Sequence, residues 1–240
     1  AVTEAAATDL GASTVSGTFG VTSTGAVTDS GTLAITGATT ISASGQDITF
    51  DEAASTFGTI SLTGANVSVT EAAATDLGAS TVSGTFGVTS TGAVTDSGTL
   101  AITGATTISA SGQDITLSEA ASTFGTISLT GANVAVTEAA ATDLGASTVS
   151  GTFGVTSTGA ITDSGTLAIT GASTFTNSGG TDEAITLDDS ANAFTGSVTF
   201  ATDSGSAVTI VDTTALDLVA LSAASLNVTA GGAVTDSGTL

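Results

Sequence analysis

The chain has 240 residues, 22 of them acids and none of them Lys, Arg or His, so its formal charge of -22 has no internal counterion. That balance excludes nucleic acid, whose phosphates need Lys or Arg for neutralisation, and an anionic membrane surface, which repels such a chain. Without His or Cys there is no conventional catalytic triad, no zinc site of the usual donors and no disulfide from which to read a redox compartment. No apolar run approaches the ~18 residues that cross a bilayer, so no membrane insertion is expected. Neither a signal peptide nor an initiator Met opens the chain, which reads as an interior or processed piece. Its 40% of apolar residues recur at spaced positions, unlike those of a disordered acidic tract.

In chain order, the first element is "VTEA" from Val2, an acid held between an apolar and a small residue. In "STVSGTFGVTST", Val15, Phe19 and Val21 alternate with small polar residues; "VTDS" from Val27 repeats the opening motif, and "TLAITG" carries Leu33 and Ile35. The cluster "SASGQD" marks a turn, and "TISLTG" with Ile60 and Leu62 alternates again. Alternation of apolar with Thr or Ser, rich in β-branched residues, predicts half-buried strands. Residues 68–134 then copy residues 1–67 without a gap, differing only at Ala1/Ser68, Phe50/Leu117 and Asp51/Ser118. A partial third copy covers 135–172, and 173–240 read as divergent coils of the same architecture.

The motif apolar-x-acid-small supplies a finer period. It occurs at Glu4, Asp29, Glu52, Glu71, Asp96, Glu119, Glu138, Asp163, Asp189, Asp212 and Asp236, with the shortest step from Glu52 to Glu71 and the longest from Asp163 to Asp189. The expected fold is therefore all-β: a parallel β-solenoid of about eleven coils of 19–26 residues, grouped as three coils to each 67-residue block. At a strand spacing of about 4.8 Å such a rod would be about 50 Å long. A string of small β-sandwiches is the alternative, but a block spanning 1–67 is short for one, and the shorter period would have no cause. Phe19, Phe86, Phe153, Phe57 and Phe124 are expected in the core.

With every coil in register, the eleven acids would form one column. Neighbouring unit charges about 4.8 Å apart repel by about 0.9 kcal/mol in water and about 3.5 kcal/mol at an effective dielectric near 20. Two readings follow. Each acid sits at a turn and accepts hydrogen bonds from backbone amides, or calcium, a hard cation taking carboxylate and hydroxyl oxygens, bridges the coils, the eleven acids being its candidate metal ligands. No helix-loop-helix calcium loop or glycine-rich calcium nonapeptide occurs, and no cofactor is required by any motif. The doublets Asp51/Glu52, Asp182/Glu183 and Asp188/Asp189 are the dense acid sites, but adjacent strand residues face opposite ways and the chain lacks the Trp, Tyr, Arg and Lys of sugar clefts, so no enzyme is expected. Asn66-Val67-Ser68 and Asn227-Val228-Thr229 match the glycosylation sequon, yet Ala135 breaks the equivalent at Asn133, and these Asn side chains are expected to cap turns. Thr-x-Thr at Thr22/Thr24, Thr89/Thr91 and Thr156/Thr158 falls once per block, too sparsely for an ice-binding lattice.

The run "GAVTDSGTLAITGATTISASG" at Gly25–Gly45, copied at Gly92–Gly112, resembles the repetitive β-helical shafts of filamentous-haemagglutinin-like adhesins and related giant bacterial surface proteins. The resemblance implies a right-handed parallel β-helix, secretion to the bacterial surface or exterior, and a role in attachment or matrix. The expected function is a structural segment of an extracellular fibre, matrix or surface shaft, whose partners are copies of itself, end to end or side by side. A calcium- or glycan-dependent adhesion module, engaging surface glycans, is the alternative.

Overall fold

The computed structural model describes every residue except Thr181, Asp203, Ser204 and Leu240, with Thr239 described by its backbone. Two compact units cover Ala1–Gly125 and Thr126–Leu240. Each is a parallel β-solenoid, and no helix occurs among the described residues. In the first unit, one sheet stacks Val2–Glu4, Phe19–Ser23, Thr39–Ser42, Thr59–Gly64, Thr75–Leu77, Val94–Asp96 and Ile115–Leu117. The second sheet of that unit stacks Thr8–Leu10, Val27–Asp29, Ile48–Phe50, Val67–Glu71, Phe86–Ser90 and Thr106–Ser109. The chain passes from one sheet to the other and back in each turn. The second unit follows the same plan, with Val134–Glu138, Phe153–Ser157, Ser173–Asn177, Ser197–Ala201, Leu216–Ser222 and Val234–Thr239 in one sheet. Its other sheet holds Thr126–Gly131, Thr142–Leu144, Ile161–Asp163, Ile185–Leu187, Ala207–Asp212 and Ser225–Ala230.

Alternation sets which side chains face inward. In Thr59–Gly64 the residues Ile60, Leu62 and Gly64 are buried while the hydroxyl residues between them are half-exposed, because successive strand residues point to opposite faces. The apolar residues then stack turn upon turn, Val21 on Ile41 on Leu62 in one sheet and Val27 on Ile48 on Val67 in the other. A fully buried Leu, Ile or Val contributes about 1.5–3 kcal/mol relative to exposure, so the column supplies the driving force that a single turn lacks. The expected aromatic core holds at Phe57, Phe86, Phe124 and Phe153, all buried, whereas Phe19 is half-buried. In the second unit Phe175 packs edge-on against Phe153 and Phe194 at 5.8 and 6.0 Å and stacks on Phe200 at 5.7 Å.

The register corrects the grouping of three coils per block. Val2 pairs with Val21, Phe19 with Thr39, Val27 with Ile48 and Thr59 with Asp76, so the length of a turn varies, the step from Thr59 to Asp76 being the shortest of these and that from Val27 to Ile48 the longest. From Thr8, three steps up the second sheet reach Val27, Ile48 and Val67, and a further half turn reaches Thr75, the copy of Thr8, in the first sheet. The block 1–67 is therefore three and a half turns, and an average turn matches the step from Val2 to Val21. Every strand of the second copy changes sheets: Val2–Glu4 lies in the first sheet and its copy within Val67–Glu71 in the second, while Val27–Asp29 and Val94–Asp96 are related the other way. The acids recur three times per block and the turns three and a half times, so acid spacing overestimates the turn and undercounts the coils.

The third copy also runs past residue 172. Gly45, Gly112 and Gly180 are the glycines with positive φ among the described residues, at 73°, 74° and 69°, and they mark the same turn in three successive blocks. Ile185 pairs with Ile161 where Ile48 pairs with Val27 and Ile115 with Val94, so the third copy carries three extra residues in the turn around Gly180. A second glycine feature is steric. Gly37 and Gly58 stack above Gly17, Gly104 and Gly125 above Gly84, and a Cβ added to any of these four upper glycines would stand under 3.0 Å from a backbone carbonyl oxygen of the turn below.

Candidate functional site

The predicted column of eleven carboxylates does not form. Where an acid ends a strand of the first unit, its register partner on the adjacent turn is not an acid: Glu4 faces Ser23, Asp29 faces Leu10, Glu71 faces Ser90 and Asp96 faces Leu77. In the second unit Glu138 faces Ser157, Asp163 faces Leu144, Asp212 faces Ala230 and Asp236 faces Leu218. The cause is the mismatch already described. From Glu4 a full turn ends at Ser23, and the chain continues around the next corner before it reaches Asp29, which places that acid in the other sheet. Among the described residues no group of three or more acids is close enough to hold a metal ion.

The acids instead close gaps in the backbone hydrogen bonding where strands end. The Oδ1 atom of Asp29 accepts the Asp51 amide of the next turn at 3.0 Å. Asp96 does the same for Ser118 at 2.7 Å and Glu119 at 3.2 Å, and Asp163 for Asp188 at 2.8 Å and Asp189 at 3.4 Å. Thus Glu52, Glu119 and Asp189 mark the turn that receives the cap. Glu71 Oε1 accepts the Phe57 amide of the turn below at 2.7 Å, and Asp212 Oδ1 accepts Phe194 at 3.1 Å and Thr214 at 3.0 Å. Asp189 and Asp236 also accept amides two residues on, from Ala191 at 2.9 Å and Gly238 at 3.0 Å. An unpaired buried amide costs about 1–3 kcal/mol, and a carboxylate is a strong acceptor for it.

Burial perturbs three of these groups. Desolvation raises the pKa of Asp29, Glu71 and Asp163 above the ordinary carboxylate values, and amide hydrogen bonds oppose it in each case. At Asp163 the Asn192 side-chain amide opposes it most, and the neighbouring charges of Asp51 at Asp29 and Asp188 at Asp163 add to the rise.

Some caps carry no acid and so fall outside the apolar-x-acid-small motif. The hydroxyls of Ser55 and Ser122 accept the amides of Leu33 and Leu100 at 3.0 Å each, and Asn192 Oδ1 accepts that of Leu167 at 2.7 Å. The available signal is position: each stands three residues after Glu52, Glu119 or Asp189. Asp76, inside "TDLG", escaped because an apolar residue follows it; its Oδ2 accepts the hydroxyls of Thr59 at 2.7 Å and Ser97 at 2.9 Å, tying three turns together. Asp143 repeats this with Thr126 and Ser164 at the same distances. Asn66 is a cap as expected: its Oδ1 accepts the amide and hydroxyl of Thr85 at 3.0 and 3.1 Å, while its Nδ2 donates to Asp47 at 2.9 Å. Asn227 is not at a turn but inside the strand Ser225–Ala230, paired with Thr209.

Stacked parallel turns with side-chain caps at the strand ends define a tandem-repeat β-solenoid. The chain belongs to the family described as repeats of unknown function (DUF5649), which matches residues 1–63, 64–130, 131–201 and 205–240. The third match runs past residue 172, in agreement with the extended third copy. Comparison with curated proteins and with solved structures gives no significant match.

The cap at Asp96 provides a direct check. Asp96→Ala leaves the Ser118 and Glu119 amides without their acceptor and is expected to cost about 2 kcal/mol, read as a lower urea midpoint. Asp96→Asn, which keeps one carbonyl acceptor, should recover about half of the loss.

Proposed function

We propose that this chain is a structural segment of a secreted fibre, matrix or bacterial surface shaft, without catalytic activity, and that its product is length and stiffness. The observation that supports the reading most is the repeat itself: near-identical blocks in which each turn hydrogen-bonds to the next through parallel strands and capped ends. In such an array each turn is stabilised chiefly by its neighbours, so blocks add without redesign. Copies of the same chain are the partners this reading names, and the absence of Lys and Arg denies trypsin-like proteases a cleavage site.

Negative-stain microscopy of the native material, with calcium and after chelation, tests the proposal. Rods or filaments that persist through chelation are the expected result. Their loss on chelation would assign the function to the calcium-dependent alternative instead, and globular particles would sink both. In parallel, a broad-specificity protease should leave the native chain intact over times that digest the heat-unfolded chain.

A further inference from the structure

In the first unit Asp29 and Glu71 are buried carboxyl groups with one oxygen left without a hydrogen-bond partner among the described residues, and Glu71 is the more deeply buried of the two. Glu71 ends the strand Val67–Glu71 with 0% of its surface exposed. Oε1 accepts the Phe57 amide, but Oε2 has no hydrogen-bond partner among the described residues. Beside it lies Thr75, close enough to act on the carboxyl, whose buried hydroxyl makes no hydrogen bond of ordinary geometry. The Ser90 hydroxyl, on the register partner of Glu71, is already committed to the Ala73 carbonyl at 2.7 Å. The acids on the segments packed against this site are Glu52 in the preceding turn and Asp76 on the strand that follows, and Asp76 is engaged by Thr59 and Ser97. In a chain without Lys, Arg or His, no side chain can serve as counterion to a charge at this place. A buried carboxylate with neither counterion nor full hydrogen bonding gives up its charge by taking a proton.

We propose that Glu71 is carried as the neutral carboxylic acid at neutral pH, its Oε2–H directed to the Thr75 hydroxyl, so that a proton is a built-in structural component of the repeat. The proton completes both groups at once: Oε2 gains a donor role, the Thr75 oxygen an acceptor role, and Oε1 keeps the Phe57 amide. Burial, the largest influence on Glu71, favours the protonated form, and the Phe57 amide and the Thr75 side chain oppose it without reversing the direction. Glu138 occupies the equivalent place in the next copy and is also buried, at 1% exposure. Protonation then recurs in the second and third copies, where this glutamate is buried, and not at Glu4 of the first, which is exposed. The placement also accounts for an acid inside the core: Gln would make the same contacts, but only the acid makes them dependent on pH.

The test uses the full chain. Infrared spectra of the wild type in neutral buffer should contain the carbonyl stretch of a protonated carboxyl group, and the wild-type-minus-variant difference for Glu71→Gln/Glu138→Gln should contain it too. The double variant should fold, melt at neutral pH no lower than the wild type, and show a weaker dependence of melting temperature on pH between 5 and 8. No protonated carboxyl in the wild-type spectrum would overturn the proposal, whether or not the variant folds. A protonated carboxyl unchanged in the variant would place the proton elsewhere and overturn the assignment to Glu71. A wild-type melting temperature that falls on chelation at neutral pH, with no protonated carboxyl, would replace the proton by a bound cation.

Discussion

The melting temperature of this protein is expected to rise as pH falls from 7 to 4.5. Asp29, Glu71 and Asp163 have folded-state pKa values raised by burial, so the folded chain binds protons more tightly than the unfolded one. The stabilising contribution of each is fully present below its unfolded pKa and is lost as pH rises through the folded value. Relief of the self-repulsion of 22 acids works in the same direction. Acid denaturation by accumulated positive charge has no source here, because no side chain becomes a cation. Each tenfold change in proton affinity is worth about 1.4 kcal/mol, and solvent screening at the less buried groups takes part of that back. For a chain of this size a gain on the order of 5 °C is expected. Circular dichroism melts at matched ionic strength would check it. A melting temperature that falls over the same interval would mean that the hydrogen bonds held by the charged carboxylates outweigh the burial of Asp29, Glu71 and Asp163.

Gly104→Ala is expected to be among the most damaging single substitutions outside the apolar core. A Cβ there would stand under 3.0 Å from the carbonyl oxygen of Gly84 on the turn below. Neither backbone can move away without opening the flanking pairs, Val82 with Ile102 and Phe86 with Thr106, that hold the same two turns together. Overpacking of this kind costs about 3 kcal/mol, or roughly 6–12 °C of melting temperature, and a larger residue costs more. Gly87→Ala is the control. It lies in the strand Phe86–Ser90, and the nearest atom to its added Cβ is at 3.7 Å, an ordinary contact. The control should be neutral or stabilising by several tenths of a kcal/mol through reduced freedom of the unfolded chain. Equal losses at the two positions would mean that intolerance of a methyl group is general to the sheets and not a property of the glycine stack.

Alternation made the fold class readable, since Leu33 and Ile35 or Ile60 and Leu62 have one face to fill and small residues, Ala34 or Ser61, on the other. The repeat and its near identity were equally plain. What escaped was the length of a turn. An acid is conspicuous in sequence, and its three appearances per block suggested three coils, but capping depends on where a strand ends and not on a fixed fraction of the turn. Only the pairing of Thr8 with Val27 and its successors shows that a block closes on the opposite sheet. Asp96 was legible as a turn acid; that its partners are amides 22 and 23 residues away, and not local ones, was not. Ser55, Ser122 and Asn192 carried no compositional contrast in a chain so rich in small polar residues, although they perform the same office.

The half-integer turn count gives the repeat a parity. Inserting or deleting one block, the natural product of misaligned recombination between near-identical copies, moves every downstream residue to the opposite sheet. Inserting or deleting two restores it. The hydrogen bonds between turns are satisfied in both cases, so folding alone sets no preference between odd and even changes. A contact confined to one side of the solenoid does set one, and it would leave its trace as a population of alleles whose lengths differ by pairs of blocks.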